Sequence, residues 1–106
     1  MVKFLIKASY TSEGVKGILK AGGTSRKLAV EKMINDLGGK LEVFYFAFGD
    51  PDVYAIGEMP DNETVAAVSL NINSTGLVNT CTTILLKPDD VDKATKISVA
   101  YHGPGK

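Results

Sequence analysis

Residues 41–52 read LEVFYFAFGDPD, and Phe44, Tyr45, Phe46 and Phe48 are half of the chain's aromatic residues. A strand with one wet face alternates apolar and polar side chains. This one is apolar on both sides, so two layers of protein must cover it. Strict alternation puts Leu41, Val43, Tyr45 and Ala47 on one face and Phe44, Phe46 and Phe48 on the other. Register decides which set lies under the chain's own helices. The phenylalanines are the candidate interface. Three exposed phenyl rings would make an apolar patch larger than a monomer usually carries. Burying them is worth roughly 5–8 kcal/mol at ~1.5–3 kcal/mol each. A second copy of the same sheet, related by a two-fold axis, is the economical cover, so the expected state is a homo-oligomer, a dimer or a multiple of dimers.

The rest of the chain supplies the helices. VKFLIKASY alternates, with Val2, Phe4, Ile6 and Ala8 on one face and Lys3, Leu5, Lys7 and Ser9 on the other. TSEG then offers hydroxyls to cap a helix carrying Val15, Ile18 and Leu19. The run AGGTS interrupts it, because paired glycines disfavour a helix interior. Helical spacing resumes from Ser25, with Val30, Met33, Ile34 and Leu37 on one stripe and Gly38-Gly39 as a C-terminal cap. KLEVFYFAF and DVYAIGE flank Gly49-Asp50-Pro51-Asp52, which is turn chemistry, so they pair as a hairpin. A third helix opens at Pro60-Asp61, shows Val65, Val68 and Ile72 as its stripe, and stops at Gly76. LVNTCTTILL is a β-branched strand, and KPDDVDKATK a short helix with acids first and lysines last. The order β-α-β-β-α-β specifies an α+β, ferredoxin-like plait. It is a four-stranded antiparallel sheet with the helices on one face, plus a short C-terminal helix and tail. The chain reads as a single domain, residues 1–96 as its core and 97–106 as the tail.

Composition narrows the function classes. The chain has 106 residues, 44% hydrophobic and 23% charged, with 12 basic residues balancing 12 acidic ones. No net field draws nucleic acid or an anionic membrane, and no apolar run approaches the ~20 residues that span a bilayer. With one Cys and one His, a Cys-rich or multi-histidine metal site is excluded, and no dinucleotide fingerprint follows a strand. The expected cofactor list is therefore empty, no metal is expected, and the location expected is cytoplasmic.

The segments GGKLEVFYFAFGDPDVYAIGEMPDN, SLNINSTGLVNTCTTILL and YHGPG resemble the GYD-domain family, as do TSEGVKGI and GGTSRKLAVEKM nearer the start. The resemblance spans nearly the whole chain. It implies the dimeric α/β-barrel variant of the ferredoxin-like fold more firmly than any activity. The family's Gly-x-Tyr-Asp turn reads Gly49-Asp50-Pro51-Asp52 here, without the tyrosine.

No catalytic signature is legible, and the reading weighs against an enzyme. Several places still offer chemistry. Gly22–Lys27 precedes a helix with glycines and hydroxyls suited to an anion, yet it lacks a Walker ending and also reads as a plain capped break. Asp50 and Asp52 could serve a hard cation or acid–base work, although hairpin turns select both for backbone reasons. Cys81 reads as an inert buried thiol. Lys3 and Lys7 read as rim charges on the mixed face of the first strand, with the positive side of a pocket as the alternative. Tyr10, Tyr45, Tyr54 and Tyr101 could line a cavity or simply pack. The strongest pocket combines Tyr10, at the end of the first strand, with Ser25 and Arg26, at the resumed helix. It would hold a small anionic or carbonyl-bearing molecule, and His102 would join if the tail folds over it. The alternatives are a cofactor-independent enzyme acting on polyketide-like or aromatic compounds, and a structural or regulatory assembly unit without a ligand.

Overall fold

The computed structural model describes residues 1–106. Its strands are β1 (Val2–Tyr10), β2 (Lys40–Phe46), β3 (Val53–Met59) and β4 (Val78–Leu85). Its helices are α1 (Ser12–Ala21), α2 (Gly23–Asp36), α3 (Asn62–Ser74) and α4 (Pro88–Ala94). The four strands form one antiparallel sheet in the order β2-β3-β1-β4. This is the strand order of a ferredoxin-like plait. No helix is long and apolar enough to cross a membrane.

The core lies between this sheet and α2 and α3. Phe4, Ile6 and Ala8 from β1 meet Val53, Ala55 and Met59 from β3, with Ile34 from α2 and Val65 and Val68 from α3 closing the layer. Two helix ends have a clear local cause. Asp61 accepts the Thr64 N–H at 2.8 Å, which caps α3. At the end of α2, Gly39 N–H donates to the Ile34 carbonyl and Gly38 N–H to that of Asn35, both at 3.0 Å. That pair of bonds is the Schellman ending expected of a glycine cap.

The second strand departs from strict alternation. Leu41 pairs with Gly57 and Val43 with Ile56, so Glu42 is an extra residue inserted as a β-bulge. A bulge changes which face the following residues point to. Leu41 is buried on the helix side, and past the bulge Phe44 and Phe46 lie opposite Ala55 and Val53, also on the helix side. Both rings pack against the core cluster. The expected outward facing of Phe44 and Phe46 is therefore corrected, while Phe48 stays exposed. Phe44 and Phe46 meet edge to face at 5.3 Å, and Phe48, beyond the strand and 60% exposed, stacks on Phe46 at 5.2 Å.

The outward face is instead built from Val43, Ile56 and Leu5 in one row and from Tyr45, Tyr54, Lys7 and Cys81 in the next. None of these residues is buried, and Tyr45 and Tyr54 are 69% and 41% exposed. Cys81 is exposed as well, which corrects its reading as a buried thiol. Lys3 reaches across this face, donating to Glu42 Oε1 at 2.8 Å and lying 3.7 Å from Glu58 Oε1. No helix covers this side.

Candidate functional site

The hairpin turn comes first, because it fixes one wall of the site. Asp52 N–H donates to the Ala8 carbonyl at 2.8 Å, and its side chain accepts the Tyr10 N–H at 2.9 Å. Asp52 therefore ties the β2–β3 turn to the end of β1 and orients Tyr10. Asp50 makes no comparable bond, so the two carboxylates act separately, one of them as a backbone anchor.

Tyr10 opens onto a cavity of about 480 Å³ between α1, α2, α3 and the start of β4. Tyr10, Ser25 and Arg26 all line it; His102 does not, and it is exposed in the tail. Helix α2 begins at Gly23, two residues before the expected Ser25, and its first turn lies against Phe46. A Cβ on Gly23 would sit 2.9 Å from the edge of the Phe46 ring. Phe46 thus packs beside the helical turn that carries Ser25 and Arg26.

The Arg26 guanidinium lies beside the Tyr10 hydroxyl. Burial pushes the Tyr10 hydroxyl above the usual phenol range, Arg26 offsets part of that rise, and the Asp52 carboxylate adds to it. At neutral pH the hydroxyl keeps its proton and can donate it in a hydrogen bond. Arg26, only half-buried, supplies a permanent positive charge with a planar fork of donors. Beneath them Arg26 and Tyr10 also border a smaller, mostly apolar void of about 30 Å³ against Phe44, Val30 and Ile34.

Helix α1 forms the outer wall, and the sequence reading missed its role. Thr11 N–H donates to the Leu77 carbonyl at 3.0 Å, and Thr11 Oγ1 donates to the Gly76 carbonyl at 3.0 Å. Gly14 passes so close to the Leu77 carbonyl that no side chain fits there. One turn on, Gly17 faces the cavity with nothing within 4 Å of where a Cβ would be. At its far end α1 breaks at Gly22, whose φ of 86° is the left-handed region that glycine tolerates. The helix has no buried residue. The signal that could have revealed this wall is the Gly14–Gly17 spacing, which puts two missing side chains on one helical face. Asn71 and Thr75 of the α3 end, and Glu13 of α1, complete the polar rim.

A model of the GYD domain matches residues 4–95. The chain belongs to the GYD domain family. No curated protein and no solved structure shows significant similarity to it. The matched span of this GYD domain includes every residue of the cavity wall and ends just after α4, before His102.

Proposed function

We propose that this GYD domain binds a small anionic or carbonyl-bearing molecule in the cavity beneath α1 and self-associates through the uncovered face of its sheet. The observation that carries the first half is the Arg26 guanidinium beside the protonated Tyr10 hydroxyl on the wall of a cavity of about 480 Å³. That volume lies in the range of small-molecule sites, and an apolar wall with a few convergent polar groups is their usual composition. Arg26 would pair with a carboxylate or polarise a carbonyl, Tyr10 would donate a second hydrogen bond, and Ile18, Ala29 and Met33 would hold the apolar remainder. The uncovered face, with Tyr45 and Tyr54 exposed around an apolar row, supports the second half.

A cofactor-independent enzyme needs a group that takes up a proton near neutral pH. The raised pKa of Tyr10 makes it a donor and not such a base, His102 stands outside the cavity, and the one carboxylate on the wall, Glu13, belongs to its rim. Binding is therefore the reading that the geometry supports best.

A thermal-shift screen of small carboxylates and carbonyl compounds tests it. At least one should raise the melting temperature of the parent protein. Arg26→Ala should weaken that compound about 10–100-fold, the loss of one charge-assisted hydrogen bond of ~1.5–3 kcal/mol, while the unliganded melting temperature stays close to the parent's. A screen in which no compound shifts the parent, or an Arg26→Ala protein that responds as the parent does, would sink the reading.

A further inference from the structure

The two edges of the sheet are not protected alike. The β2 edge carries Lys40, Glu42 and a bulge, which are the usual devices against strand addition. The β4 edge has none of them. From Leu77 to Leu86 the sequence is LVNTCTTILL, without one charge or proline, and β4 runs its eight residues without a bulge. One group on this edge is satisfied within the chain, since Thr80 N–H donates to Asn73 Oδ1 at 2.8 Å. Thr80 therefore turns its N–H away from β1. Strand alternation turns those of Thr82 and Ile84 the same way, and neither has a partner across the edge.

The chain also carries a segment with the complementary need. After α4, residues 98–103 form no helix, bridge or turn, and Ser98–His102 make no backbone hydrogen bond. Ile97, Val99 and Tyr101 are 68%, 75% and 75% exposed, at the i, i+2, i+4 spacing that places three side chains on one face of a strand. The molecule measures 56 × 34 × 22 Å, with a radius of gyration of 16.9 Å. A compact chain of this length has a radius of about 13 Å. The tail of the same chain makes no backbone bond to the β4 edge.

We propose that residues 97–101 of one copy add as a fifth strand to the β4 edge of a second copy, against residues 81–85, and that the exchange is reciprocal. The backbone groups of Thr82 and Ile84 gain partners, and the arm's apolar face covers Ile84, which is 44% exposed on the helix side of the sheet. An edge of five residues without charge meets an arm of five residues without charge, so nothing has to be desolvated unpaired. The two-fold relation lets each chain both give and receive an arm.

The test is amide hydrogen exchange at Thr82 and Ile84, read by NMR on the full chain with light scattering alongside. In the parent at high concentration both amides should exchange slowly, and the protection should fall as dilution gives monomer. Val99→Asp places its charge at a position exposed in the single chain, so the fold should be retained by CD. It should nevertheless speed exchange at both amides at least 100-fold and lower the average mass. Unchanged exchange in Val99→Asp overturns the proposal, and so does protection that survives dilution, which would mean that the arm folds on its own chain. Tyr45→Asp tests the sheet-face contact separately. If it alone dissociates the assembly while Val99→Asp has no effect, the sheet-face reading stands and the arm exchange fails.

Discussion

The two faces of the sheet are made by the same four strands, with opposite outcomes. On the helix side, Phe4 is 1% exposed and Met59 is fully enclosed. On the other side, one residue along in β1, Leu5 sits half-covered among Ile56, Thr83 and its own neighbours. The helix side is closed by residues the chain brings itself. The open side mixes an apolar row with the Lys3–Glu42–Glu58 ion-pair row and two tyrosines. Burial by the chain's own helices stabilises the fold; an exposed amphipathic face stabilises nothing until something docks on it.

Substitutions on the two faces should therefore separate widely in denaturant melts. Phe4→Ala empties the middle of the core and should cost about 3–5 kcal/mol, whereas Leu5→Ala, one residue away, should cost under about 1 kcal/mol in the monomer. Equal losses would break the contrast between the faces. Phe46→Ala should come next, at about 2 kcal/mol, since its ring is only partly buried. Because Phe46 fills the space beside Gly23, the same change should also weaken any ligand that needs Arg26. Thr11→Ala removes the side-chain acceptor of the Gly14 N–H and the donor to the Gly76 carbonyl, and should cost about 1–2 kcal/mol.

Gly17→Ala should run the other way. A mid-helix Gly→Ala change stabilises by roughly 0.5–1 kcal/mol, and here the new methyl group points into the cavity. Raised melting temperature together with weakened ligand binding would mark Gly17 as a residue kept small for the site. The smallest effect should be at Asp61, whose carboxyl is held below its ordinary value by the Thr64 hydroxyl and N–H. A depressed folded value means that the ionised form favours the fold. Its contribution is complete above the unfolded value of about 3.8 and is lost as pH falls through the folded one. The parent should thus lose stability relative to Asp61→Asn as a titration goes below pH 4, and parallel curves would contradict the assignment.

Much of this was legible in the chain. The hairpin, the element order and the meeting of Tyr10 with Arg26 follow from turn residues, periodicity and the short path from β1 to α2. The facing of the phenylalanines was not legible. Glu42 occupies what looks like an ordinary polar position in an alternating strand, and only the pairing Leu41–Gly57 and Val43–Ile56 reveals it as an insertion. Cys81 misled for a related reason: an apolar-looking strand at the edge of a sheet has one face that nothing in its own chain covers. His102 was too far along an unpaired tail for sequence to place. Gly14 and Gly17 stand out only in the structure, because an absent side chain signals space only once its neighbours are known.

The fastening of α1 at one end has a mechanical meaning. Bolted to the Gly76–Leu77 loop through Thr11 and Gly14, and interrupted at Gly22, the helix is fastened at its root and buries no residue along its length. Its tip lies at the α1–α2 break, the end of the cavity where Ser25 and Arg26 stand. Under the proposed binding, a guest would enter by displacing this one helix, which buries no residue, without opening the hydrophobic layer beneath. Residence time would then be set at the α1 root, tunable at Thr11, and affinity at Arg26 and Tyr10.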